Sequence, residues 1–388
     1  MRDLIMEKKP IHVLNILADF KKGGIQAEVM YPARLLDPQA VRFDALLLSD
    51  TTGFYEEEFA RYGEIFRIPL KRKKTKLGRF LSVFTNFFWL EREMERFFRE
   101  HPGYDAVHAR HILYNAPCIL AAKRAGVPVR IAHCAVDRPR GQFRDRAYIT
   151  WYLSLCARVL RRHATHCFGV TKSAVEYLCG EGCGIVMKNP TIALDRFDPA
   201  KYRQIRPDGR IHLLMVGSYG QRKNQRFAVD ILRALPEDAD ATFIGYPRTP
   251  TDPYLPKLKQ YAEDLGLSDR VRFLPQDADI PLEMAKATVL LIPSLQEGLP
   301  NVALEAQAMG LSCFVSSEVS DECDCGLCSF YPLALGPEGW AEKIQAYVAE
   351  HGYGKRHVDM SQWDNYQICL DYLEYWRGKP MPLKENRK

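Results

Sequence analysis

Two glutamates, Glu297 and Glu305, stand eight residues apart in the segment Ser294-Leu-Gln-Glu-Gly-Leu-Pro-Asn-Val-Ala-Leu-Glu305. Alone they would be a solvated loop residue and a surface helical residue. Their context argues otherwise. Residues 289–294 read as a buried strand, 295–299 as a loop, and a helix is expected from Pro300, a good first-turn residue because it has no amide hydrogen to leave unpaired. Gly298 and the first-turn amides then converge on one spot, and such a helix start favours an anion, phosphate above all. Carboxylates before and inside the helix suit vicinal hydroxyls, as in ribose or a sugar ring.

Other residue types point the same way. Lys223 lies where a helix is about to begin, an unfavourable place for a cation unless it has a partner. Gly23-Gly24 punctuates the chain after a first strand, where glycine lets backbone approach a ligand. His133 ends an apolar strand run, 129–133, and His108 and His111 flank another strand end.

The elements that must carry these residues alternate. Strands are expected at 11–17, 43–48, 65–70, 106–109, 129–133, 167–170 and 185–188, with helices at 25–36, 77–99, 115–125, 144–162 and 173–178. Turn-rich chain at 189–209 follows, and the pattern restarts: strands at 211–216, 241–244, 271–274, 289–293 and 313–316, helices at 224–235, 300–309, 340–350 and 363–376. Strand–helix alternation with continuous apolar strands predicts parallel sheets covered on both faces. Two doubly wound α/β domains follow, with ligands at the carboxyl ends of the strands.

Composition agrees with this and narrows the class. The chain has 388 residues, 47% hydrophobic and 26% charged, with a net charge of +6. No run of 18 or more apolar residues predicts a membrane span, and the first ten residues lack the apolar core of a secretory signal. A cytoplasmic protein is expected, and the mild charge gives no reason to expect nucleic acid. Eleven cysteines without a signal read as reduced thiols. The cluster Cys323, Cys325 and Cys328 lacks the spacing of a paired zinc motif and is expected in a surface loop.

The stretch 273–316, with its text PSLQEGLPNVALEAQAMGLSCFVSSEVS, closely resembles glycosyltransferase family 4, and within it the capsular and exopolysaccharide transferases of bacteria. The resemblance implies the GT-B fold: two Rossmann-like domains facing a central cleft, here 1–200 as the acceptor domain, completed by a C-terminal helix at 361–378, and 201–360 as the nucleotide-sugar donor domain. It implies that Glu305 holds the ribose of a nucleotide and Glu297 the donor sugar. Amides around Gly298, Leu299, Asn301 and Val302 would meet sugar and phosphate. Leu214-Met-Val-Gly217-Ser-Tyr-Gly-Gln-Arg222-Lys223-Asn resembles the family's glycine–arginine…lysine–asparagine segment. Lys223 would then neutralise the leaving diphosphate. Ser218 departs from the family's usual arginine, and Arg222 is the candidate substitute. Gly23, Gly24 and Gln26 resemble the family's glycine loop, and His133 its histidine beside the donor sugar.

The implied reaction is retaining sugar transfer from a nucleotide sugar, expected to be a UDP-sugar, without metal or other cofactor. The departing phosphate would take the acceptor's proton, so no protein base is nominated. The expected acceptor is a saccharide, lipid-linked in surface polysaccharide synthesis. The basic block Lys71, Arg72, Lys73, Lys74, Lys76 and Arg79, followed by an apolar stretch to Leu90, suits either peripheral contact with an anionic membrane face or a core helix after a solvated loop. Two other functions fit the same fold: a sugar-nucleotide epimerase, and a non-catalytic nucleotide-sugar-binding subunit.

Overall fold

The computed structural model describes residues 9–21, 23–71, 76–136, 147–205, 207–247, 249 and 251–381; of residues 76–80 it describes the backbone alone. The chain divides into two compact units, Met1–Thr191 with Trp363–Lys388, and Ile192–Gln362. The first crossing thus falls at 191–192 rather than at 200–201.

Among the described residues the first unit holds seven strands: β1 (Ile11–Leu17), β2 (Val41–Leu47), β3 (Ile65–Arg67), β4 (Ala106–Ala109), β5 (Val129–Cys134), β6 (His166–Gly169) and β7 (Ile185–Val186). They form one sheet in the order β3-β2-β1-β4-β5-β6-β7. All its pairings are parallel. Its helices are α1 (Gly24–Leu35), α2 (Glu56–Phe59), α3 (Lys76–Glu100), α4 (Asn115–Arg124), α5 (Ala147–His163), α6 (Lys172–Cys179) and, from the far end of the chain, α12 (Asn365–Trp376). The β1 run IHVLNIL is apolar almost throughout because helices cover both faces of a parallel sheet. On one face Leu14, Ile16, Leu46 and Val107 pack with Leu90, Met94 and Phe97 of α3 and with Cys118 and Ala121 of α4.

The second unit has β8 (His212–Val216), β9 (Asp240–Gly245), β10 (Val271–Pro275), β11 (Val289–Ile292), β12 (Ser312–Ser316) and β13 (Cys328–Tyr331). Their order is β10-β9-β8-β11-β12-β13, again parallel throughout. The helices are α7 (Gln225–Ala234), α8 (Tyr254–Asp264), α9 (Ile280–Lys286), α10 (Asn301–Ala308) and α11 (Gly336–His351). Leu213, Met215, Phe243, Leu291 and Phe314 form the core with Val229 of α7 and with Trp340 and Ile344 of α11. In each sheet the order reverses beside the first strand, between β1 and β4 and between β8 and β11. That reversal is where doubly wound sheets open a crevice for ligands.

The cysteine cluster is not a surface loop. Cys323 is fully buried, and Cys328 opens β13, in register with Cys313 of β12. Sheet pairing, which the spacing of the cysteines does not report, draws the segment inward. Of the basic block, residues 72–75 and the side chains of 76–80 lie outside the described residues. The rest of α3 has two faces. Val83, Leu90 and Met94 are buried, while Leu81 and Phe88 are exposed, as is Trp151 of α5. Phe84 meets the Trp151 ring with centroids 5.7 Å apart. Among the described residues no helix is long and apolar enough to cross a membrane.

Candidate active site

The second unit assembles Lys223, Glu297 and Glu305 beside its strand reversal. β8 is followed by Gly217, whose φ of 149° favours glycine. A Cβ there would lie 3.2 Å from Cε of Lys223, so the lysine stem runs directly over this glycine. The loop from Ser218 to Asn224 is held by Gln225: its Nε2 donates to the Ser218 carbonyl at 3.0 Å, and its Oε1 accepts from the Gly220 amide at 3.3 Å. Asn224 adopts the left-handed conformation, φ 59° and ψ 42°, at the start of α7. Its Nδ2 donates to the Pro293 carbonyl at 3.1 Å. The Leu295 amide donates to the Arg222 carbonyl at 2.8 Å. These cross-bonds tie the loop after β8 to the loop after β11.

The result is an ion pair between Lys223 Nζ and Glu297 Oε1. Ser294, fully buried, donates its hydroxyl to the same Glu297 oxygen at 2.8 Å. Lysine and glutamate are therefore held next to each other by short, anchored loops. α10 starts at Asn301, with Pro300 as its N-cap rather than its first residue, and no side chain caps the first turn. Gly298, Leu299, Asn301 and Val302 are half-buried there. Glu305, half-buried in the same helix, has its carboxyl pushed up to about 7 by burial, with Arg196 opposing the rise. Arg222 presents an exposed side chain, and the half-buried Ser218 contributes its carbonyl to the loop.

In the first unit the expected residues do something else. Gly23 is exposed with an extended φ of −178°, so its conformation does not demand glycine, and Gly24 opens α1. Gln26 Nε2 donates to the Asp19 carbonyl and to Asp19 Oδ1, each at 3.1 Å, closing its own loop. His133 is 1% exposed. A strand-end histidine is expected to face a ligand; this one is walled in by neighbours that the sequence does not reveal.

Those neighbours are Glu28, His108, Arg110 and Tyr372, all buried. Glu28 Oε1 lies 2.8 Å from His133 Nδ1 and accepts from Arg110 Nε at 3.1 Å and from the Tyr372 hydroxyl at 3.2 Å. Burial works against this carboxylate, but facing His133 and Arg110 outweigh it and hold the carboxyl at about 2. Burial first, then the charge of Arg110, keeps His108 well below the usual histidine range. Glu28, His108 and His133 are the group among the described residues close enough to hold a metal ion. Their hydrogen bonding does not suit one. His108 Nδ1 faces two N–H donors, Arg110 Nη2 at 2.9 Å and Trp376 Nε1 at 3.3 Å. His108 Nε2 lies 3.2 Å from His133 Nδ1, so the two imidazoles bond to each other rather than leaving both nitrogens bare for a metal.

Comparison with known proteins agrees with the two-unit α/β fold. A model of the Glycosyl transferase 4-like domain matches residues 23–185, and one of Glycosyl transferases group 1 matches residues 210–349. The chain is a glycosyltransferase of the GT-B fold. EpsF of Bacillus subtilis (strain 168), named as a glycosyltransferase, is 27% identical over 371 residues, covering 90% of this chain and 91% of its own. The Escherichia coli UDP-Gal:alpha-D-GlcNAc-diphosphoundecaprenol alpha-1,3-galactosyltransferase is 40% identical over a stretch of 63 residues, 16% of each chain. Among solved structures, HepE of Anabaena in complex with UDP superposes with a TM-score of 0.66 at 16% identity, over 94% of both chains.

Proposed function

We propose that the protein is a retaining, metal-independent hexosyltransferase that moves a sugar from a UDP-sugar to a lipid-linked saccharide in surface polysaccharide synthesis. The observation that carries this reading is the Lys223–Glu297 pair, held by two cross-bonded loops at the strand reversal beside α10. Lys223 neutralises the diphosphate as the bond from anomeric carbon to phosphate oxygen breaks. Glu297, steadied by Ser294, takes hydroxyls of the donor sugar, and Glu305 takes the ribose. The amides of Gly298, Leu299, Asn301 and Val302 face the sugar and phosphate. The acceptor oxygen bonds to the anomeric carbon on the face the phosphate leaves, and its proton passes to that phosphate. Pre-set donors of this kind do their work without reorganising during the reaction.

UDP as the nucleotude part of the donor has support in a solved fold neighbour that carries it. A lipid-linked acceptor has support in the relative named for one. Peripheral association with the cytoplasmic membrane face has support in the exposed Leu81, Phe88 and Trp151, and in the basic block that precedes Leu81 in the sequence. A thermal-shift panel of nucleotide sugars tests the donor. Ligand at a hundred times its Kd stabilises the native state by about 2.7 kcal/mol, so UDP-sugars raise Tm. A panel in which UDP-sugars leave Tm unmoved while another nucleotide sugar raises it overturns the donor assignment.

A further inference from the structure

The polar cluster of the first unit occupies the reversal point of its sheet, where an open sheet takes ligands, yet it is absorbed by none of the roles above. Glu28 projects from α1 and is met from three separate elements: His133 near the end of β5, Arg110 just after β4, and Tyr372 of α12. Arg110 Nη1 also donates to Asn15 Oδ1 of β1 at 2.7 Å. Asn115, the first residue of α4, donates to the His133 carbonyl at 3.0 Å and accepts from the His111 amide at 2.9 Å. Tyr372 O–H reaches Asn189 Oδ1 as well, at 3.3 Å. One carboxylate thus joins the exits of β1, β4 and β5.

We propose that Glu28, clasped by Arg110, His133 and Tyr372, is the positioning residue for the acceptor-side loops that leave β1 and β4. The inference rests on the reading of the first unit as the acceptor unit. Two observations separate it from a role in stability alone. A buried ion pair is a weak way to stabilise a core, since apolar residues of similar volume serve as well or better. In addition, Asn15 Nδ2, Glu28 Oε2 and His133 Nε2 are buried polar atoms without a hydrogen-bond partner among the described residues. Three unpaired buried polar atoms cost stability rather than add to it, which a cluster kept for stability alone would not carry. The clasp also gives α12 a task. This helix supplies Tyr372 to the carboxylate and Trp376 to His108.

Tyr372→Phe removes one hydroxyl from the carboxylate and keeps the ring. In the full chain, three readouts are compared with wild type: UDP affinity by calorimetry, steady-state transfer with a donor–acceptor pair the wild type uses, and hydrogen exchange at residues 23–28 and 110–115. One charge-assisted hydrogen bond corresponds to roughly a tenfold change or more. Tyr372→Phe is expected to lower kcat/KM for the acceptor about tenfold and to speed exchange in both loops by a similar factor, with UDP Kd within twofold. Glu28→Gln is expected to do more; should it fail to fold, Tyr372→Phe still decides. Equal losses in UDP affinity and acceptor use, or unchanged loop exchange, overturn the proposal. If the wild type transfers no sugar at all, the transferase reading fails, and the exchange measurement alone judges the clasp.

Discussion

Replacing Glu305 with glutamine separates its charge from its shape, and the carboxyl's environment sets the size of the effect. Burial raises this group from 4.5 to about 7, so near neutral pH about half the molecules carry the charge. A hydrogen bond to a charged group contributes about 1.5–3 kcal/mol and a neutral one about 0.5–1.5. The difference, about 1.4 kcal/mol, is tenfold in affinity. If the ribose hydroxyls donate to the ionised form, donor binding strengthens about tenfold from pH 5.5 to pH 8. A UDP-sugar is the better probe, because its phosphates, unlike the terminal phosphate of UDP, do not titrate in this range. Glu305→Gln flattens that profile and binds at every pH as the wild type does at pH 5.5. Stability moves the other way. A carboxyl raised on folding holds its proton in the native state while the unfolded chain releases it, so stability falls as pH rises from 4.5 towards 7. The full shift corresponds to about 3 kcal/mol, a ceiling because the side chain is half-buried and partly screened. Glu305→Gln is therefore expected to melt higher than wild type at pH 8 and alike at pH 4.5. Calorimetric titration and thermal melts read both; the same pH slope in wild type and variant refutes the reasoning.

Other outcomes follow from the same geometry. Lys223→Ala is expected to cut turnover with the true donor by about 10²–10³, the usual loss for one well-placed electrostatic donor, measured as UDP release. The Glu28 carboxyl, held at about 2 rather than 4.5, contributes stability that is present above pH 4.5 and is lost as pH falls towards 2. That contribution is at most about 3 kcal/mol. Acid-denaturation curves of wild type and Glu28→Gln should converge at the acid end. Charge neutralisation of Lys71–Lys76 is expected to reduce flotation with vesicles containing anionic lipid, and equal flotation removes the membrane assignment.

The order of strands and helices was legible because parallel strands covered on both faces are apolar along their length, as in β1 and β11. The loop after β11 was legible because a strand, a Gly-Leu-Pro turn and a helix start fall within a dozen residues. Long-range partners were not. Glu28 reads as an ordinary helical glutamate, since nothing near it in sequence announces Arg110, His133 or Tyr372. The tyrosine lies 344 residues away. For the same reason His133 reads as a ligand contact at a strand end, although Glu28 and His108 enclose it. β13 escaped notice because its four residues are half-buried and open on a cysteine. The short α9, with Pro281 inside its first turn, lacks enough turns for its periodicity to stand out.

The most direct measurement is transfer itself. The purified full chain is incubated with UDP-, GDP- and ADP-linked hexoses, with and without a lipid-linked N-acetylglucosaminyl diphosphate acceptor, and both the nucleotide and the sugar products are followed. The account predicts UDP release from a UDP-hexose, faster with acceptor, and a product whose new bond keeps the donor's anomeric configuration. It also predicts loss of both in Lys223→Ala. An epimerised sugar nucleotide formed without acceptor, or inverted configuration in the product, contradicts it.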